Sequence, residues 1–441
     1  MRFQKICVLG LGYIGLPTAA TFATNGVKVI GVDVNPHVLN TLQGGNIHIH
    51  EPGLRTVVEA ALNSGNLVLS PQPEPADAFL IAVPTPFKED QFDEYQGRRY
   101  KLADMSMVSA AAQAIVPCLQ KGNLVVLEST SPPRTTIDLL TPILERSGLK
   151  AGSDFFLCYS PERVLPGQIL RELIENARVV GGVTPESARA GGDLYSIFVQ
   201  GEIIETDATT AEMVKLMENT TRDVNIAIAN EFARLAEKFG VDVWEAISLA
   251  NRHPRINILS PGPGVGGHCI SVDPWFFVER APELTRLIYN ARLVNDEQPD
   301  FVVKKVQQAI AAEDKSSSTV AGKKVAVLGL AYKPDVDDLR ESPATEVVHL
   351  LQADGAQVKV WEPFKPKAVM NGINMAPSLA AAIEDADAIL LLVKHTEFVK
   401  LNPNEIASKT TARIVIDCVN GWNVEAWKQA GFQVFRLGVN K

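Results

Sequence analysis

The sequence predicts an α/β protein with two domains, each built around a parallel sheet, joined by a long central helix. Three observations support this fold class. Short apolar strands alternate with helical segments from the amino terminus onward. The same alternation begins again after residue 323, and helical periodicity without interruption spans 209–239 between the two series. Alternation of strands and helices is typical of open parallel sheets covered by helices.

The composition is that of an ordinary globular chain. Of the 441 residues, 46% are hydrophobic and 21% are charged. A chain of this length is long enough for two or three domains. The net charge of -9, without basic blocks, argues against nucleic acid or an anionic membrane as the main partner. Five scattered cysteines without CxxC spacing predict no metal site and no redox pair, and they fit a reducing cytoplasm.

The amino-terminal segment contains two basic residues followed by apolar residues, so a signal peptide has to be considered. Its apolar part is broken by Gly10, Gly12, Gly15 and Pro17, which argues against that interpretation. No stretch approaches the roughly 18 to 20 apolar residues of a membrane span. We therefore expect a cytoplasmic protein.

The first strand and the turn after it carry a dinucleotide fingerprint. The apolar strand KICVL is followed at once by GLGYIG, whose ligand-facing residues are predicted to be Gly10, Gly12, Tyr13, Ile14 and Gly15. A helix follows, and then a second strand that ends in Asp33. Glycines permit a tight turn and close approach of a pyrophosphate, and the helix N-terminus supplies amides. Asp33 suits the ribose hydroxyls and repels a 2'-phosphate, which favours NAD over NADP and a Rossmann-like domain.

Polar loops follow three further apolar strands, on the edge where ligands of parallel sheets bind. Thr85 follows the strand at 78–83, and Thr130 follows the strand at 124–127; both are candidates for the cofactor edge. Glu162 follows the strand at 155–159, where a ligand contact or an ordinary surface position are both open. The charged stretch 88–101 is expected to be solvated and is assigned no role.

The predicted long helix begins with a capping-box pattern formed by Thr209 and Glu212. At 1.5 Å per residue it spans roughly 45 Å, a length suited to a spine between domains or to a dimer contact. Lys215 and Asn219 lie four residues apart and so share a face, which is either functional or a solvated polar stripe. A second long helix is predicted over 283–313.

The loop GPGVGGHCISVDP, at 262–274, presents Cys269 after a run of glycines. Glycine permits unusual dihedrals and close approach of a substrate to the backbone. A buried structural thiol is the alternative, since free cysteines are often buried. No role is predicted for the neighbouring His268.

The second series of strands repeats the first in modified form. The segment KVAVLGLA at 324–331 echoes KICVLGL at 5–11, and DADAILLLV at 385–393 echoes ADAFLIAV at 76–83. Ala331 stands where the first copy has Gly12, so the dinucleotide fingerprint is lost. Lys333 and Arg340 follow it as cations that could meet phosphates or a sugar. A second Rossmann-like domain for another nucleotide and a purely structural duplicate are both open.

Several motifs along the chain together resemble those of the nucleotide-sugar 6-dehydrogenases, over nearly its whole length. They are GLGYIG, PTP, EST, SPE, EMVKLMEN, the glycine-cysteine-aspartate loop and GLAYKPDVDDLRES. The resemblance implies a four-electron oxidation of a sugar C6 alcohol to a carboxylate, with two NAD per turnover. It also implies a UDP-sugar substrate, a homodimer through the helical region, and the domain ranges 1–205 for NAD, 206–315 for the centre and 316–441 for the UDP-sugar.

The resemblance also implies roles for single residues, all of them expectations. Cys269 would be the nucleophile, Lys215 and Asn219 would stabilise the oxyanion, and Asp273 would position the base and water. Glu162 would aid thioester hydrolysis, and Thr130 would hold water near the sulfur. Contacts with substrate or cofactor are further implied for these residues: Arg163, Val164, Arg255 from the neighbouring subunit, Gly266, Gly267 and Lys333 with the substrate, and Arg340 with NAD.

Within that family, SPERVLPG, RHPRIN and PGPGVGGHCISVDPWFF look most like the branch acting on UDP-N-acetyl-D-mannosamine. Val272 and Pro166 replace a lysine and a glutamate of the UDP-glucose branch, which suits an N-acetylhexosamine. UDP-glucose and UDP-N-acetylglucosamine stay open as substrates. A non-catalytic sensor of UDP-sugar or NAD, or a two-electron dehydrogenase with a similar plan, are the alternatives of another class.

Overall fold

The structure, a computed structural model, describes residues 2–49, 51–267, 269–313 and 319–440. His268 and the predicted boundary between residues 315 and 316 lie outside the described residues. The chain divides into two units. The first contains the residues up to Glu218 together with Trp275–Leu284, and the second contains Asn219–Pro274 and the residues from Thr285 onward. The three predicted domain ranges stay a prediction.

The first unit is built on an eight-stranded sheet. Its strands have the order β10-β9-β8-β7-β4-β1-β2-β3, and β5 and β6 pair separately as an antiparallel hairpin. The strands are β1 Lys5–Leu9, β2 Lys28–Val32, β3 Leu67–Ser70, β4 Ala78–Ile81, β5 Phe87–Tyr95, β6 Arg98–Ala103, β7 Leu124–Leu127, β8 Phe156–Tyr159, β9 Arg178–Gly182 and β10 Ile203–Asp207. All neighbours in the large sheet are parallel except β8 and β9.

Helices cover both faces of this sheet, which explains why its strands read as continuous apolar runs. Ile6 of β1 packs into the core on one face, and the adjacent Cys7 packs into the core on the other. The helices are α1 Gly15–Thr24, α2 Pro36–Gln43, α3 Leu54–Asn63, α4 Ser106–Ile115, α5 Thr141–Leu144, α6 Ile169–Glu175 and α7 Pro185–Tyr195. The strand-turn-helix order required by the fingerprint is confirmed.

The long central helix is confirmed as α8, which spans Ala208–Phe239. Its 32 residues correspond to about 48 Å. The predicted capping box is wrong, because Asp207 caps the helix instead: its side chain accepts from the amide and the hydroxyl of Thr210. Glu212 is buried and accepts hydrogen bonds from the amides of Arg134 and Thr136. Glu212 therefore accepts hydrogen bonds from a neighbouring loop and does not cap α8.

The helix predicted over 283–313 is wrong as one element, because the structure has two helices there. After α8 the helices are α9 Val243–Ala250, α10 Asp273–Arg280, α11 Arg286–Asp296 and α12 Gln298–Glu313. Glu297 ends α11, and Pro299 is the second residue of α12. Proline has no amide hydrogen and clashes with the preceding turn, so a continuous helix through this point is disfavoured.

The second unit contains a five-stranded parallel sheet with the order β12-β11-β13-β14-β15. Its strands are β11 Lys324–Leu328, β12 Gln357–Trp361, β13 Ala388–Leu391, β14 Ile414–Asp417 and β15 Gln433–Arg436. Its later helices are α13 Pro343–Ala353, α14 Leu379–Ile383, α15 Thr396–Val399, α16 Pro403–Ala407 and α17 Val424–Gln429. Clusters of buried apolar residues lie on both faces.

The predicted internal repeat is confirmed by strand pairing. In the first unit β1 lies between β2 and β4, and in the second β11 lies between β12 and β13. The pairing of Leu9 with Ile81 corresponds to that of Leu328 with Leu391. With the exception of one antiparallel pair, the predicted fold class is therefore correct: two Rossmann-like sheets and a long central helix.

The charged stretch 88–101 forms most of the β5–β6 hairpin, and most of its described side chains are exposed, in agreement with the expected solvated segment. Gln96 and Gly97 make its turn, both with positive φ. The guanidinium of Arg99 in β6 lies 3.8 Å from the ring centre of Phe92 in β5. A cation–π contact therefore joins the two strands of the hairpin.

Candidate active site

The glycines of the first strand-helix turn have different reasons to be glycine. Gly10 has φ of +92°, and a Cβ there would lie 2.6 Å from the carbonyl oxygen of Ala82. A Cβ on Gly15 would lie 1.8 Å from the carbonyl oxygen of Gly10. By contrast, no atom of the described residues lies within 4 Å of a Cβ built on Gly12, which is exposed. Gly10 and Gly15 are needed by the fold, and Gly12 leaves space for a ligand.

Helix α1 begins at this turn without a side-chain cap among the described residues and without an acidic residue in its first turn. The amide of Leu16 donates to the carbonyl oxygen of Gly12 at 3.1 Å, and Pro17 has no amide hydrogen. The positive end of the helix dipole still faces the turn, which suits a pyrophosphate. Asp33 stands at the end of β2: Oδ2 accepts from the amide of Leu11 at 2.9 Å, and Oδ1 accepts from the amide of Asn35 at 2.8 Å. Each oxygen keeps a second lone pair for a ribose hydroxyl. The glycine turn and Asp33 thus fit the pyrophosphate and the ribose of NAD, and the contacts of single residues with the cofactor stay a prediction.

The loops after β4 and β7 lie together at the same edge. The hydroxyl of Thr85 donates to the carbonyl oxygen of Thr130 at 2.7 Å, and the hydroxyl of Ser129 donates to the carbonyl oxygen of Val83 at 2.7 Å. Both threonines are half-buried. Strand β4 pairs with β7, so the structure brings together the two candidates that the sequence placed on this edge.

Glu162 is held in a buried ionic cluster that sequence reasoning missed. Its Oε2 lies 2.7 Å from Nη1 of Arg178, and Oε1 accepts from the amide of Arg163 at 2.9 Å. Nη2 of Arg178 contacts Oε1 of Glu128 at 2.8 Å, and the hydroxyl of Tyr195 donates to the same oxygen at 2.6 Å. Glu162 is therefore not the ordinary surface glutamate that was considered for this position.

The electrostatics of this cluster are set by burial. Burial raises the pKa of Glu128 to about 7, and the nearby Arg178 limits that rise. Burial alone lowers the pKa of Arg178, but Glu162, Tyr195 and Glu128 outweigh it, so the net pKa lies above the usual range. One guanidinium thus serves two carboxylates, only one of which is partnered at both oxygens in the described structure.

The two residues that follow Glu162 were also assigned to the substrate by resemblance. Arg163 forms an ion pair with Glu218 at 2.8 Å and donates to the carbonyl oxygen of Ala177. Val164 is half-buried and packs against the core of the first unit. These contacts give Arg163 protein partners, and its contact with a substrate stays a prediction.

Helix α8 carries the predicted pair Lys215 and Asn219 one turn apart. Lys215 is buried. Nδ2 of Asn219 donates to Oδ2 of Asp273 at 2.6 Å, and the amide of Asp273 donates to the carbonyl oxygen of Cys269 at 2.8 Å. Within the second unit, the structure therefore brings together three of the predicted catalytic residues: Asn219, Asp273 and the backbone of Cys269.

All five cysteines lie within the described residues, and Cys269 is the one that is exposed. Cys7, Cys158 and Cys418 are buried, and Cys118 is half-buried. Burial raises the pKa of Cys7 to about 12 and also raises the pKa of the other three. Since the thiolate is the nucleophile, these four positions disfavour reactivity. The buried structural thiol considered for Cys269 is thus excluded.

Gly266 and Gly267 lie against the second unit's own chain. A Cβ on Gly266 would lie 2.4 Å from the carbonyl oxygen of Glu341 and 2.7 Å from Cδ of Pro343. A Cβ on Gly267, whose φ is +87°, would lie 2.9 Å from the ring of Tyr332. Packing against the segment 332–343 therefore accounts for both glycines, in addition to any approach of a sugar.

The cations expected to bind substrate or cofactor in the second unit have distinct surroundings. Nζ of Lys333 lies 5.7 Å from the ring centre of Tyr332, and Lys333 is half-buried. Arg340 is exposed and forms a double hydrogen bond with Asp338, at 2.8 Å for both contacts. Arg255 is exposed. Their assignment to ligands stays a prediction.

Glu362 and His395 fix the start of the segment that carries Lys333. Oε2 of Glu362 accepts from the amides of Leu330 and Ala331, at 2.8 and 3.0 Å, and contacts Nε2 of His395 at 3.1 Å. Nδ1 of His395 accepts from the amide of Asp335 at 2.9 Å. Burial raises the pKa of Glu362, but hydrogen bonds from His395 and backbone amides outweigh it, so the net pKa is lowered. Sequence reasoning missed this buried pair.

The described residues contain no cluster of three or more His, Cys, Asp or Glu side chains that could hold a metal ion. Among the described helices, none is both long enough and apolar enough to cross a membrane.

Three family models match successive parts of the chain, all described as the UDP-glucose/GDP-mannose dehydrogenase family. The NAD binding domain matches residues 4–199, the central domain matches 209–297, and the UDP binding domain matches 326–424.

Relatives with named activities are similar over nearly their whole length. A UDP-N-acetyl-D-mannosamine dehydrogenase of Campylobacter jejuni is 48% identical, over 92% of this chain and 99% of that protein. An NDP-N-acetyl-D-galactosaminuronic acid dehydrogenase of Ralstonia nicotianae is also 48% identical, over 96% and 97%. The solved structure of a UDP-D-ManNAc dehydrogenase from Pyrococcus horikoshii is 39% identical with a TM-score of 0.89, covering 99% of each chain.

Proposed function

The chain belongs to the UDP-glucose/GDP-mannose dehydrogenase family and is an NAD-dependent oxidoreductase, and we propose that its substrate is UDP-N-acetyl-D-mannosamine. The product is UDP-N-acetyl-D-mannosaminuronate, formed by a four-electron oxidation of the C6 alcohol. The observation that carries the proposal is the exposed Cys269 beside the Asn219–Asp273 pair. A sensor that only binds ligand has no need of an exposed nucleophile at this position.

The proposed chemistry uses the sulfur twice. The C6 alcohol loses a hydride and its hydroxyl proton, which gives an aldehyde. The thiolate of Cys269 then attacks C6, and the thiohemiacetal loses a second hydride and a proton to become a thioester. Water cleaves the C–S bond, which releases the carboxylate and the thiol. NAD, when bound, accepts each hydride, so two NADH form per sugar.

Catalytic and binding roles are assigned to the following residues of the chain. Lys215 and Asn219 donate hydrogen bonds to the C6 oxygen, which becomes negatively charged during the reaction. Asp273 orients the side-chain amide of Asn219 and also positions the general base and the water molecule. Glu162 and Thr130 orient the water that attacks the thioester. Contacts with the substrate are assigned to Arg163, Val164, Arg255, Gly266 and Lys333, and contacts with NAD to Gly10, Gly12, Tyr13, Ile14, Gly15, Asp33, Thr85 and Arg340.

The choice of sugar rests on the relatives. The Campylobacter jejuni relative supports an N-acetylmannosamine substrate. The Ralstonia nicotianae relative, equally similar, makes an N-acetylgalactosamine nucleotide the second candidate. Because the two sugars differ only in the configuration at C2 and C4, the shape of the pocket separates them. UDP-glucose and UDP-N-acetylglucosamine follow as weaker candidates.

A homodimer is proposed from one face of α8. Ile228, Phe232, Leu235 and Phe239 are exposed and recur at spacings of four, three and four residues. This spacing aligns them in one stripe on the helix. An exposed apolar stripe of this kind is suited to a second copy of the chain.

The test of the proposed function is a panel of four UDP-sugars, assayed by NADH absorbance and by mass spectrometry of the product. The expected result is the highest kcat/KM with UDP-N-acetyl-D-mannosamine and two NADH per uronate formed. One NADH per sugar would contradict the four-electron reaction, and a preference for another sugar would overturn the choice of substrate.

A second experiment tests the nucleophile. Cys269→Ala is expected to lose at least about 10³-fold in uronate formation, since the covalent step is absent. Cys118→Ala is the matched control, because this thiol is half-buried and outside the proposed site. Full activity of the Cys269→Ala enzyme would defeat the thioester mechanism.

A further inference from the structure

We propose that Arg178 is a positioning residue for thioester hydrolysis: its guanidinium holds Glu162 in the orientation from which that carboxylate acts on water. The inference rests on the role of Glu162 in the proposed function. It adds Arg178, which touches neither substrate nor cofactor in the proposal, together with Glu128 and Tyr195, which hold the guanidinium in turn.

The placement of Arg178 follows from the direction of one strand. Strand β9 runs antiparallel to β8, with Cys158 opposite Gly182 and Tyr159 opposite Gly181. Continued beyond the paired residues, this register places Arg178, the first residue of β9, opposite Glu162. The contact between the two side chains therefore lies just beyond the end of the β8–β9 pairing, with Arg178 held in the sheet and Glu162 in the loop after β8.

Arg178 is held at three of its nitrogens and on one face of its planar group. Nη1 contacts Glu162 at 2.7 Å, Nη2 contacts Glu128 at 2.8 Å, and Nε donates to the hydroxyl of Ser160 at 3.0 Å. The guanidinium carbon lies 3.6 Å from the ring centre of Tyr195. A rigid fork with three fixed nitrogens leaves little freedom to a carboxylate bound to it. Lysine can supply the charge but not this geometry.

Because the cluster is buried, the ion pair between Arg178 and Glu162 depends on the charge of every member. The side chains of Arg178 and Glu128 are 5% and 0% exposed, and that of Glu162 is 9% exposed. Within the described chain, Oε2 of Glu128 has no hydrogen-bond partner. A partly desolvated pair depends strongly on both members, because removing one leaves a buried charge uncompensated. The cluster is thus built to hold one carboxylate in place rather than to add stability.

The experiment follows NADH formation by Arg178→Lys in a stopped-flow instrument, with the sugar and NAD in excess over the enzyme and with Arg189→Lys as the matched control. Arg189 also pairs with a glutamate of the first unit, Glu186, but on the surface. The expected result for Arg178→Lys is a burst of two NADH per active site followed by a steady state at least about 10-fold slower than wild type. The kcat/KM for the sugar should change by less than about 3-fold, because the steps up to the thioester do not involve Glu162. An unchanged steady-state rate would overturn the inference.

A double-variant cycle separates positioning from general damage. If Arg178 acts through Glu162, then Arg178→Lys should cost less than about 2-fold when added to Glu162→Gln, because the group that it positions is already lost. Multiplicative losses in the double variant would overturn the inference. A wild-type enzyme without a second NADH would instead defeat the proposed function, so the two failures are distinguishable.

Glu128→Gln supplies a test if Arg178→Lys does not fold. The groups facing Glu128 are Arg178, Tyr195, Glu162 and Cys158. With Glu128 neutral at every pH, Arg178 serves Glu162 alone, so the pH dependence of the slow step between pH 6 and 8 should flatten relative to wild type. An unaltered pH profile would overturn the inference.

Discussion

Glu362 makes the same two backbone contacts in the second unit that Asp33 makes in the first. Asp33 accepts from the amides of Leu11 and Asn35, and Glu362 accepts from those of Leu330 and Phe364. The surroundings differ, because Asp33 is half-buried and Glu362 is fully buried beneath His395. The acid that can meet a ribose in one copy is enclosed in the other.

This difference predicts that NAD binds to one site per chain. Asp33→Asn should weaken NADH binding at least about 10-fold, because the acceptors for the ribose are reduced. The change Glu362→Gln, at the corresponding position of the second sheet, should leave NADH affinity within about 2-fold of wild type. Fluorescence titration with NADH measures both. A comparable loss in the two variants would contradict the assignment of the cofactor to the first unit.

The two glycines at 12 and 15 should respond differently to a single methyl group. Gly15→Ala forces a Cβ onto the carbonyl oxygen of Gly10 and is expected to lower the free energy of unfolding by about 3 kcal/mol or more. Gly12→Ala meets no atom of the described residues and should keep the melting temperature while weakening NADH binding. Thermal unfolding and NADH titration provide the comparison. Unchanged NADH affinity in Gly12→Ala would count against its proposed contact with the cofactor.

The raised pKa of Glu128 should lower the free energy of unfolding as the pH rises from 4.5 to 7. Its pKa is raised from 4.5 to about 7 in the folded chain, so the folded state holds a proton that the unfolded state releases. Stability is therefore lost as pH rises through this window, by up to about 3 kcal/mol, and the loss is complete above pH 7. Urea unfolding at pH 5 and pH 8 should show a smaller decrease for Glu128→Gln. An equal decrease in both proteins would refute the raised pKa.

Cys269 should be the first thiol to react with iodoacetamide in the native protein. Three of the other thiols are buried, and the pKa of all four others is raised. Peptide mapping after brief treatment at pH 7.5 should find the label on Cys269, with NADH production lost in proportion. Cys269→Ser should take up little label over the same time. Early labelling of Cys7 or Cys158 would contradict the burial described above.

A charge on the apolar stripe of α8 should separate the proposed dimer. Phe232→Glu places an acid in the middle of the stripe, and desolvating it costs several kcal/mol if a partner covers it. Light scattering after size-exclusion chromatography should show the mass halved at micromolar concentration. Val369→Glu, at an exposed apolar position elsewhere in the second unit, is the matched control. If Phe232→Glu keeps the wild-type mass, the stripe is not the dimer contact.

The elements that the sequence predicted well are those with local signals. The turn at Gly10 to Gly15, the helix over 209–239 and the repeated strand pattern are readable because spacing alone specifies them. Arg178 was missed because its partner lies 16 positions earlier and the direction of β9 has no local signature. Glu362 and His395 were missed because burial of a polar pair depends on chain segments far apart in sequence. A comparison of Glu362 with Asp33 at the ends of corresponding strands was the available signal.

The reversed direction of β9 also bears on how this chain can change. Since the sheet anchors Arg178, the cation keeps its place when residues beyond Glu162 are replaced, lengthened or shortened. If the loop that follows, through Gly167, contacts the sugar as proposed, it can change to fit a new sugar while the charge beside Glu162 keeps its place. With the proposed roles, sugar recognition and thioester hydrolysis are then separable, because one depends on a loop and the other on a residue held in a strand.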